Sequence, residues 1–305
     1  MILINDCPVL PPRDSLGHKG IFGKVCVIGG SWGHYPMIGA PALAGRAALR
    51  SGCGLCTLAV PAPIVPAVLT LLPGATAVAL PVNAQQDLSA ASCLQTLEPI
   101  LAYTDTLLLG PGFGRGSAQQ DIFWSLLDSF SKPLILDADA LHLLAQRPAF
   151  ARTLKAPLLL TPHPGEFQVL AQALDLTLDA VDEQKRDQAA LTLAERLECV
   201  VILKGPYTRV SDGKQLWKSP HTEAALAIGG SGDVLSGICA GFAAQFTSSA
   251  STQCLDLFQV ACLAVQIHAL AAMAWSSRHG HAGLFPEELA DGIPLIMAQL
   301  RGELI

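Results

Sequence analysis

The sequence predicts an α/β protein whose mainly parallel sheet is covered by helices on both faces. Short continuous apolar runs alternate along the chain with longer stretches of helical spacing, which is the order expected of parallel strands and their crossover helices. Hydrophobic residues make up 51% of the 305 residues and charged residues 14%, so the chain has ample side chain for a core. No repeat or composition shift marks a linker, and we expect residues 1–305 to form a single domain that includes a Pro-rich leader at 1–17.

The individual elements follow from local patterns. Strands are predicted at seven apolar runs, 24–28, 55–60, 76–80, 106–109, 133–136, 157–160 and 199–203. Helices are predicted at 38–50, 118–130 and 180–197. The pair Asp212-Gly213 predicts a tight hairpin turn between two further short strands. From Val234 onwards the chain is predicted to be helical to its end, with Pro286 opening the last helix.

Charge, hydropathy and cysteine usage exclude several classes of protein. Nineteen basic against 25 acidic residues give a net charge of -6, and no Lys/Arg-rich run offers a nucleic-acid surface. The apolar segment 255–275 contains polar groups that hydrocarbon would penalise, so we expect a core helix and no membrane. The nine cysteines are scattered and no secretory signal is apparent, which indicates a cytoplasmic protein with free thiols.

The strongest candidate for chemistry is the sequence Gly229-Gly230-Ser231-Gly232-Asp233. Its glycines allow backbone N–H groups to approach an anion, and the positive end of the following helix points at the same place. Gly230, Ser231 and Gly232 are therefore predicted to form a phosphate-binding hole. Asp233 beside such a hole suits a base that removes a proton from a hydroxyl attacking phosphorus. A helix cap is the alternative role for Asp233, and the motif alone leaves both open.

Polar or glycine-rich segments follow four further predicted strands, where ligands of open α/β sheets bind. Gly112 allows a close backbone approach to a ligand, although a plain turn is also possible. Asp137 is a candidate carboxylate ligand for hydrated Mg²⁺. His163, between two prolines, favours ligand contact over a core position, whereas Glu166 is predicted to cap a helix. Lys204 could neutralise nucleotide phosphate or simply be solvated.

Taken in order, these motifs resemble the NAD(P)H-hydrate dehydratase family of the ribokinase-like superfamily. They are HKGIFGKVCVIGGS, IGAPALAGRAALRSGCGLCTLAVP, LLLGPGFG, LILDADALHLL, LLLTPHPGEF, VVILKGPYT and GGSGDVLSGICAGFAAQ. The likeness extends from about His18 to the last helix. GGSGD marks the superfamily, while TPHPGE and DADAL narrow the likeness to this family. The resemblance implies a ribokinase-like three-layer domain.

The resemblance also implies an activity, a metabolite-repair lyase that returns the S-form of NADH or NADPH hydrate to NAD(P)H. ADP (or ATP), with Mg²⁺, phosphorylates the hydroxyl at C6, and phosphate then leaves; ADP gives AMP and phosphate. The implied partners are the small-molecule hydrate, further copies of the chain in a homo-oligomer, and a separate epimerase in the same pathway. Because no epimerase domain precedes the first motif, we expect this chain only to dehydrate.

Roles of individual residues follow from the same resemblance. Asp233 becomes the base on the substrate hydroxyl, and the Gly230–Gly232 amides hold the transferring phosphoryl group. The residues implied to line the hydrate site are Ala40, Gly112, His163 and Asp233. Those implied to hold the AMP portion of the nucleotide are Lys204, Gly205, Pro206, Tyr207, Thr208 and Gly232.

One segment departs from the family pattern. Members usually carry Asn-Pro-Gly or Asn-Ala-Gly shortly before the glycine loop, where this chain has Glu223-Ala224-Ala225. We expect the lost glycine and the added negative charge to alter the rate or the nucleotide choice. Two other functions stay open from the sequence: a small-molecule kinase of the hydroxymethylpyrimidine or hydroxyethylthiazole type, and a catalytically silent nucleotide-binding protein.

Overall fold

The computed structural model describes residues 2–147, 153–247 and 254–303. The strands are β1 Ile2–Ile4, β2 Lys24–Ile28, β3 Leu55–Pro61, β4 Thr76–Leu80, β5 Thr106–Leu109, β6 Leu134–Leu136, β7 Leu158–Leu160, β8 Val200–Leu203, β9 Arg209–Ser211 and β10 Gln215–Lys218. The helices are α1 Gly39–Arg50, α2 Val65–Leu71, α3 Ala90–Tyr103, α4 Ser117–Ser129, α5 Asp139–Leu144, α6 Pro164–Ala173, α7 Arg186–Leu197, α8 Ser231–Phe246, α9 Leu257–His279 and α10 Pro286–Arg301.

All ten strands form one sheet in the order β1-β10-β9-β8-β7-β6-β5-β2-β3-β4. The seven strands from β8 to β4 run parallel, β9 is antiparallel to both of its neighbours, and β1 pairs in parallel with β10. Side chains of β2 alternate between the two faces, so that Val25 and Val27 join one core cluster while Cys26 and Ile28 join the other. The predicted α/β fold with two helical layers around the sheet is confirmed, as is the hairpin at Asp212-Gly213.

Several element predictions need correction. Part of the expected leader, Ile2–Ile4, forms an edge strand on β10, because tertiary pairing stabilises three residues that are too short to give a local signal. Helices α2 and α3 were not predicted. The predicted helix at 180–197 begins only at Arg186, and the last helical region begins at Ser231 rather than at Val234, because the glycine loop supplies its first turn.

Helix α9 is the one helix in the described part of the chain with the length and hydropathy of a membrane span. It has 23 residues, and its most apolar 18-residue window has a mean hydropathy of 1.8, but 72% of that window is buried inside the fold. It packs against α8 and α10, so the predicted core helix is confirmed.

The position of α8 depends on a close approach to α1. A Cβ atom added at Gly237 would lie 2.2 Å from the backbone oxygen of Ala44 and 2.8 Å from the Cβ of Ala47. Only glycine leaves room for this contact, which sets how closely α8 packs on α1.

Substitution of Gly237 tests this packing. We expect Gly237→Ala to lower the free energy of unfolding by about 2 kcal/mol, since the helices must separate to admit the methyl group. Gly292→Ala on α10 is the control, because its Cβ would lie 3.6 Å from the Cβ of Ala271, an ordinary contact. Urea denaturation should find that variant unchanged or slightly stabilised; equal midpoints for the two variants would contradict the packing argument.

Candidate active site

The glycine loop opens α8 with unsatisfied backbone donors. Gly230 precedes the helix with φ 91°, and no side chain accepts a hydrogen bond from this amino end. A Cβ at Gly230 would lie 2.9 Å from Leu43 and 3.0 Å from Pro286, so a larger residue would be strained by conformation and by space. The hydroxyl of Ser231 donates to the carbonyl of Leu226 at 2.8 Å. Ser231 therefore offers an anion its backbone amide and not its side chain.

Asp233 is the third residue of α8, and the N-cap position is occupied by Gly230. The capping alternative is therefore wrong. Asp233 directly follows Gly232, and Gly232 lines a cavity beside the glycine loop. Asp233 itself is not among the residues that line this cavity, and its role as a base stays a prediction.

A buried group of charges lies beside the loop. Lys204, which follows β8, donates to Oδ1 of Asp137 at 3.0 Å, and its Nζ lies 3.8 Å from Oε2 of Glu166. The hydroxyl of Thr161 donates to the same Asp137 oxygen at 2.7 Å. A Cβ at Gly232 would lie 3.2 Å from Nζ of Lys204, so the ammonium group stands next to the loop.

Burial and, after it, this charge group set the protonation of Asp233. Burial, reinforced by the negative charge of Asp137, raises the pKa of Asp233 to about 7, against the opposing effect of Lys204. For Lys204 itself, burial acts to lower the pKa, but Asp137 and Glu166 outweigh it and the pKa is raised. Lys204 thus stays charged, while Asp233 changes its charge near neutral pH, which suits a general base.

The described residues do not form a metal site by themselves. They hold no group of three or more His, Cys, Asp or Glu side chains placed to bind an ion. Oδ1 of Asp137 is already engaged by Lys204 and Thr161. The suggested magnesium role of Asp137 stays a prediction.

His163 and Glu166 form a capping box at the start of α6. Nδ1 of His163 accepts from the amides of Gly165 and Glu166 at 2.9 and 3.2 Å, and Oε2 of Glu166 accepts from the amide of His163 at 2.8 Å. The predicted cap at Glu166 is confirmed. The His163 side chain is 56% exposed, so it is not a core histidine, and ligand contact stays its predicted role.

Ala40 and Gly112, the two small residues expected at the hydrate site, lie together. A Cβ at Gly112, whose φ is 62°, would lie 3.4 Å from the Cβ of Ala40 and 2.6 Å from that of Met37. Gly112 follows β5 and Ala40 lies in the first turn of α1 after β2, so both belong to the edge where the neighbouring parallel strands end.

A cavity of about 510 Å³ opens beside the glycine loop. Six residues with predicted nucleotide or phosphate roles line it: Lys204, Gly205, Pro206, Thr208, Ser231 and Gly232. Gly230 and Tyr207, which also had such predicted roles, are not part of its lining. The φ of Tyr207 is 47°, and its ring lies 5.0 Å from Nζ of Lys218. The sequence did not predict that α9 lines this cavity, to which it contributes Val265, His268 and Ala269. No local signal links that helix to a site more than thirty residues away.

The segment that departs from the family pattern, residues 223–225, still has a capping side chain although the family's asparagine is absent. The side chain of Glu223 accepts from the amide of Ala225 at 3.1 Å and from Nδ1 of His281 at 2.9 Å. Burial acts to raise the pKa of Glu223, but these two donors outweigh it and the pKa is lowered. The Glu223 side chain is only 6% exposed and accepts both hydrogen bonds, so the added carboxylate on the cavity wall is not left without donors.

Comparison with known proteins shows the family of the chain. The sequence profile of the NAD(P)H-hydrate dehydratase family matches residues 25–295. The chain belongs to this family. The ADP-dependent (S)-NAD(P)H-hydrate dehydratase of Bacillus subtilis is 32% identical over 291 residues, covering 94% of this chain and 93% of the relative.

One further relative is about twice as long as the part it shares with this chain, and two solved structures share its fold. The bifunctional NAD(P)H-hydrate repair enzyme of Moorella thermoacetica is 34% identical over 96% of this chain, which spans about half (53%) of that relative's length. The crystal structure of the ADP/ATP-dependent NAD(P)H-hydrate dehydratase of B. subtilis, co-crystallised with ATP/Mg²⁺, matches with TM-score 0.75 and 28% identity over 96% of this chain and 95% of that one. A hydroxyethylthiazole kinase from Pyrococcus horikoshii, with TM-score 0.55 and 16% identity over 86% of this chain and 96% of that one, shares the fold alone.

The raised pKa of Asp233 predicts a pH-dependent effect on stability. A carboxyl whose folded pKa of about 7 exceeds its ordinary 3.8 favours folding while protonated, and that contribution is lost as pH rises through 7. Asp233→Asn should therefore raise the Tm by about 3 °C at pH 8 and much less at pH 5. Scanning calorimetry at both pH values measures this, with the exposed Asp121→Asn as control. The same gain at both pH values would contradict the raised pKa.

Proposed function

We propose that this chain dehydrates the S-form of NADH or NADPH hydrate with ADP, or ATP, as the phosphoryl donor. With ADP the products are NAD(P)H, AMP and phosphate. The observation that carries the proposal is Asp233, a carboxylate with its pKa raised to about 7, at the free amino end of α8 and next to the cavity that Lys204 and Gly232 line. Family membership supports the same reaction.

Hydroxide is a poor leaving group, so the substrate hydroxyl is first converted to a phosphate ester. Asp233 removes the proton of the C6 hydroxyl as that oxygen forms a bond to the terminal phosphorus and the bond from phosphorus to the AMP oxygen breaks. The amides of Gly230, Ser231 and Gly232 donate to the oxygens on which negative charge develops. Phosphate then leaves C6, pushed by the lone pair of the ring nitrogen. The departing phosphate or a water molecule takes a proton from C5, which restores the double bond between C5 and C6.

Lys204 supports this reaction through its charge. Its ammonium group is anchored on Asp137 at 3.0 Å and stands next to Gly232, so it offsets the charge of a bound nucleotide. Mg²⁺ needs few protein ligands and commonly binds through phosphates and water. We therefore expect the ion to arrive with the nucleotide rather than to be held by the described residues alone.

The setting of the reaction is also part of the proposal. We expect the chain to act in the cytoplasm as one domain and as a homo-oligomer. Its substrate is one epimer of the hydrate, and a separate epimerase interconverts the two epimers. His163, Ala40 and Gly112 are proposed to contact the hydrate. The AMP portion is proposed to lie against residues 204–208 and Gly232, with Tyr207 contributing backbone rather than the cavity wall.

The reaction can be followed by the return of absorbance at 340 nm when hydrated NADH and ADP are supplied together. We expect wild type to recover the absorbance and release one phosphate per molecule repaired. Asp233→Asn should still bind ADP but lose about 10²–10⁴-fold in kcat, because the base is removed with little change in size. Asp121→Asn, an exposed carboxylate on α4, serves as the control and should react like wild type.

Two outcomes would overturn the proposal. Stable accumulation of a phosphorylated small molecule without recovery of absorbance would indicate a kinase. Binding of ADP with no turnover at high enzyme concentration and with several metals would indicate a silent nucleotide-binding protein. Wild-type rates in Asp233→Asn would refute the base assignment specifically.

A further inference from the structure

His268 is a buried histidine on α9 that the proposed reaction does not use. Its side chain is 8% exposed and lies on the wall of the cavity. Its Nε2 lies 2.9 Å from the backbone oxygen of Ser231, the first residue of α8. A carbonyl oxygen has no hydrogen to give, so Nε2 carries the hydrogen and donates it.

This hydrogen bond acts on the phosphate-binding loop through the geometry of a single peptide. The carbonyl of Ser231 and the N–H of Gly232 belong to the same planar, trans unit and point in opposite directions. A donor that holds the carbonyl therefore also fixes where the N–H points. The bond further polarises the peptide, which makes the N–H a stronger donor toward an anion.

The environment suits a neutral donor and not a second cation. Burial lowers the pKa of His268 to about 4 against the opposing bond to Ser231, and nearby Lys204 lowers it further. The Ser231 hydroxyl does not replace this interaction, since it is already donated to Leu226. His268 thus supplies direction rather than charge.

We propose that His268 is a positioning residue that, through the Ser231 carbonyl, aims the Gly232 N–H at the terminal phosphate of the bound nucleotide. The proposal rests on the proposed function only in taking the loop as the phosphate site. It predicts that the loss of His268 weakens binding of the terminal phosphate and leaves contacts to the nucleoside unchanged.

The test compares binding of ADP, AMP and adenosine by calorimetry in wild type, His268→Leu and His268→Gln. We expect His268→Leu to weaken ADP binding by about 10-fold, as for a lost buried hydrogen bond, and adenosine binding by less than about 2-fold. Gln places an amide N–H near the position of Nε2 and should restore most of the preference for ADP over AMP. His279 lies on the same helix and also contacts a backbone carbonyl, but it is exposed. His279→Leu is therefore the control and should match wild type.

Equal losses for ADP and adenosine would overturn the proposal, because they would mean that His268 only shapes the cavity. An unchanged preference for ADP over AMP in His268→Leu would overturn it as well. If His268→Leu does not fold, His268→Asn replaces it; the shorter amide does not reach the carbonyl and should lose the preference that Gln keeps. These binding measurements need no hydrate, so failure of the proposed dehydration is seen separately, as wild type that binds ADP without restoring absorbance at 340 nm.

Discussion

The ion pair between Lys204 and Asp137 joins the ends of two strands that flank β7 in the sheet. Glu166, from the helix that follows β7, lies 3.8 Å from the same ammonium group. The segments that follow three neighbouring strands, β6, β7 and β8, are thereby held around one largely buried cation. Removing any partner would leave buried charge without compensation, so the loops depend on one another, and the glycine loop at the amino end of α8 depends on all three.

The same charges explain why Asp233 is suited to proton transfer. One lysine lies among Asp137, Glu166 and Asp233, so negative charge is in excess when all are ionised. Burial and this excess raise the pKa of Asp233, while the pairing of Lys204 with Asp137 keeps the cation from neutralising Asp233 fully. In our proposal a phosphate binds at the amino end of α8, and the proton that Asp233 removes comes from the attacking hydroxyl.

Local sequence predicted the parts of the fold and the site that lie next to strands. The seven parallel strands, the glycine loop and the cap at Glu166 each have a signal within a few residues. What the sequence could not predict depends on distant contacts: the edge strand Ile2–Ile4 needs β10 beside it, and His268 meets Ser231 only after α9 packs against α8. Likewise, the sequence showed that Glu223 departs from the family pattern. It did not show that His281 and the Ala225 amide would donate hydrogen bonds to its carboxylate.

The central claim is that Asp233 is a carboxyl group tuned by its buried surroundings to exchange a proton near neutral pH. The most direct test is a pH titration of the chain with ¹³C-labelled aspartate carboxyl groups, followed by NMR, with Asp233 assigned by the disappearance of its signal in Asp233→Asn. The account predicts a midpoint of about 7 for that resonance in the nucleotide-free protein. A midpoint near the ordinary value of 3.8 would contradict it, because Asp233 would then be an ordinary solvated carboxylate.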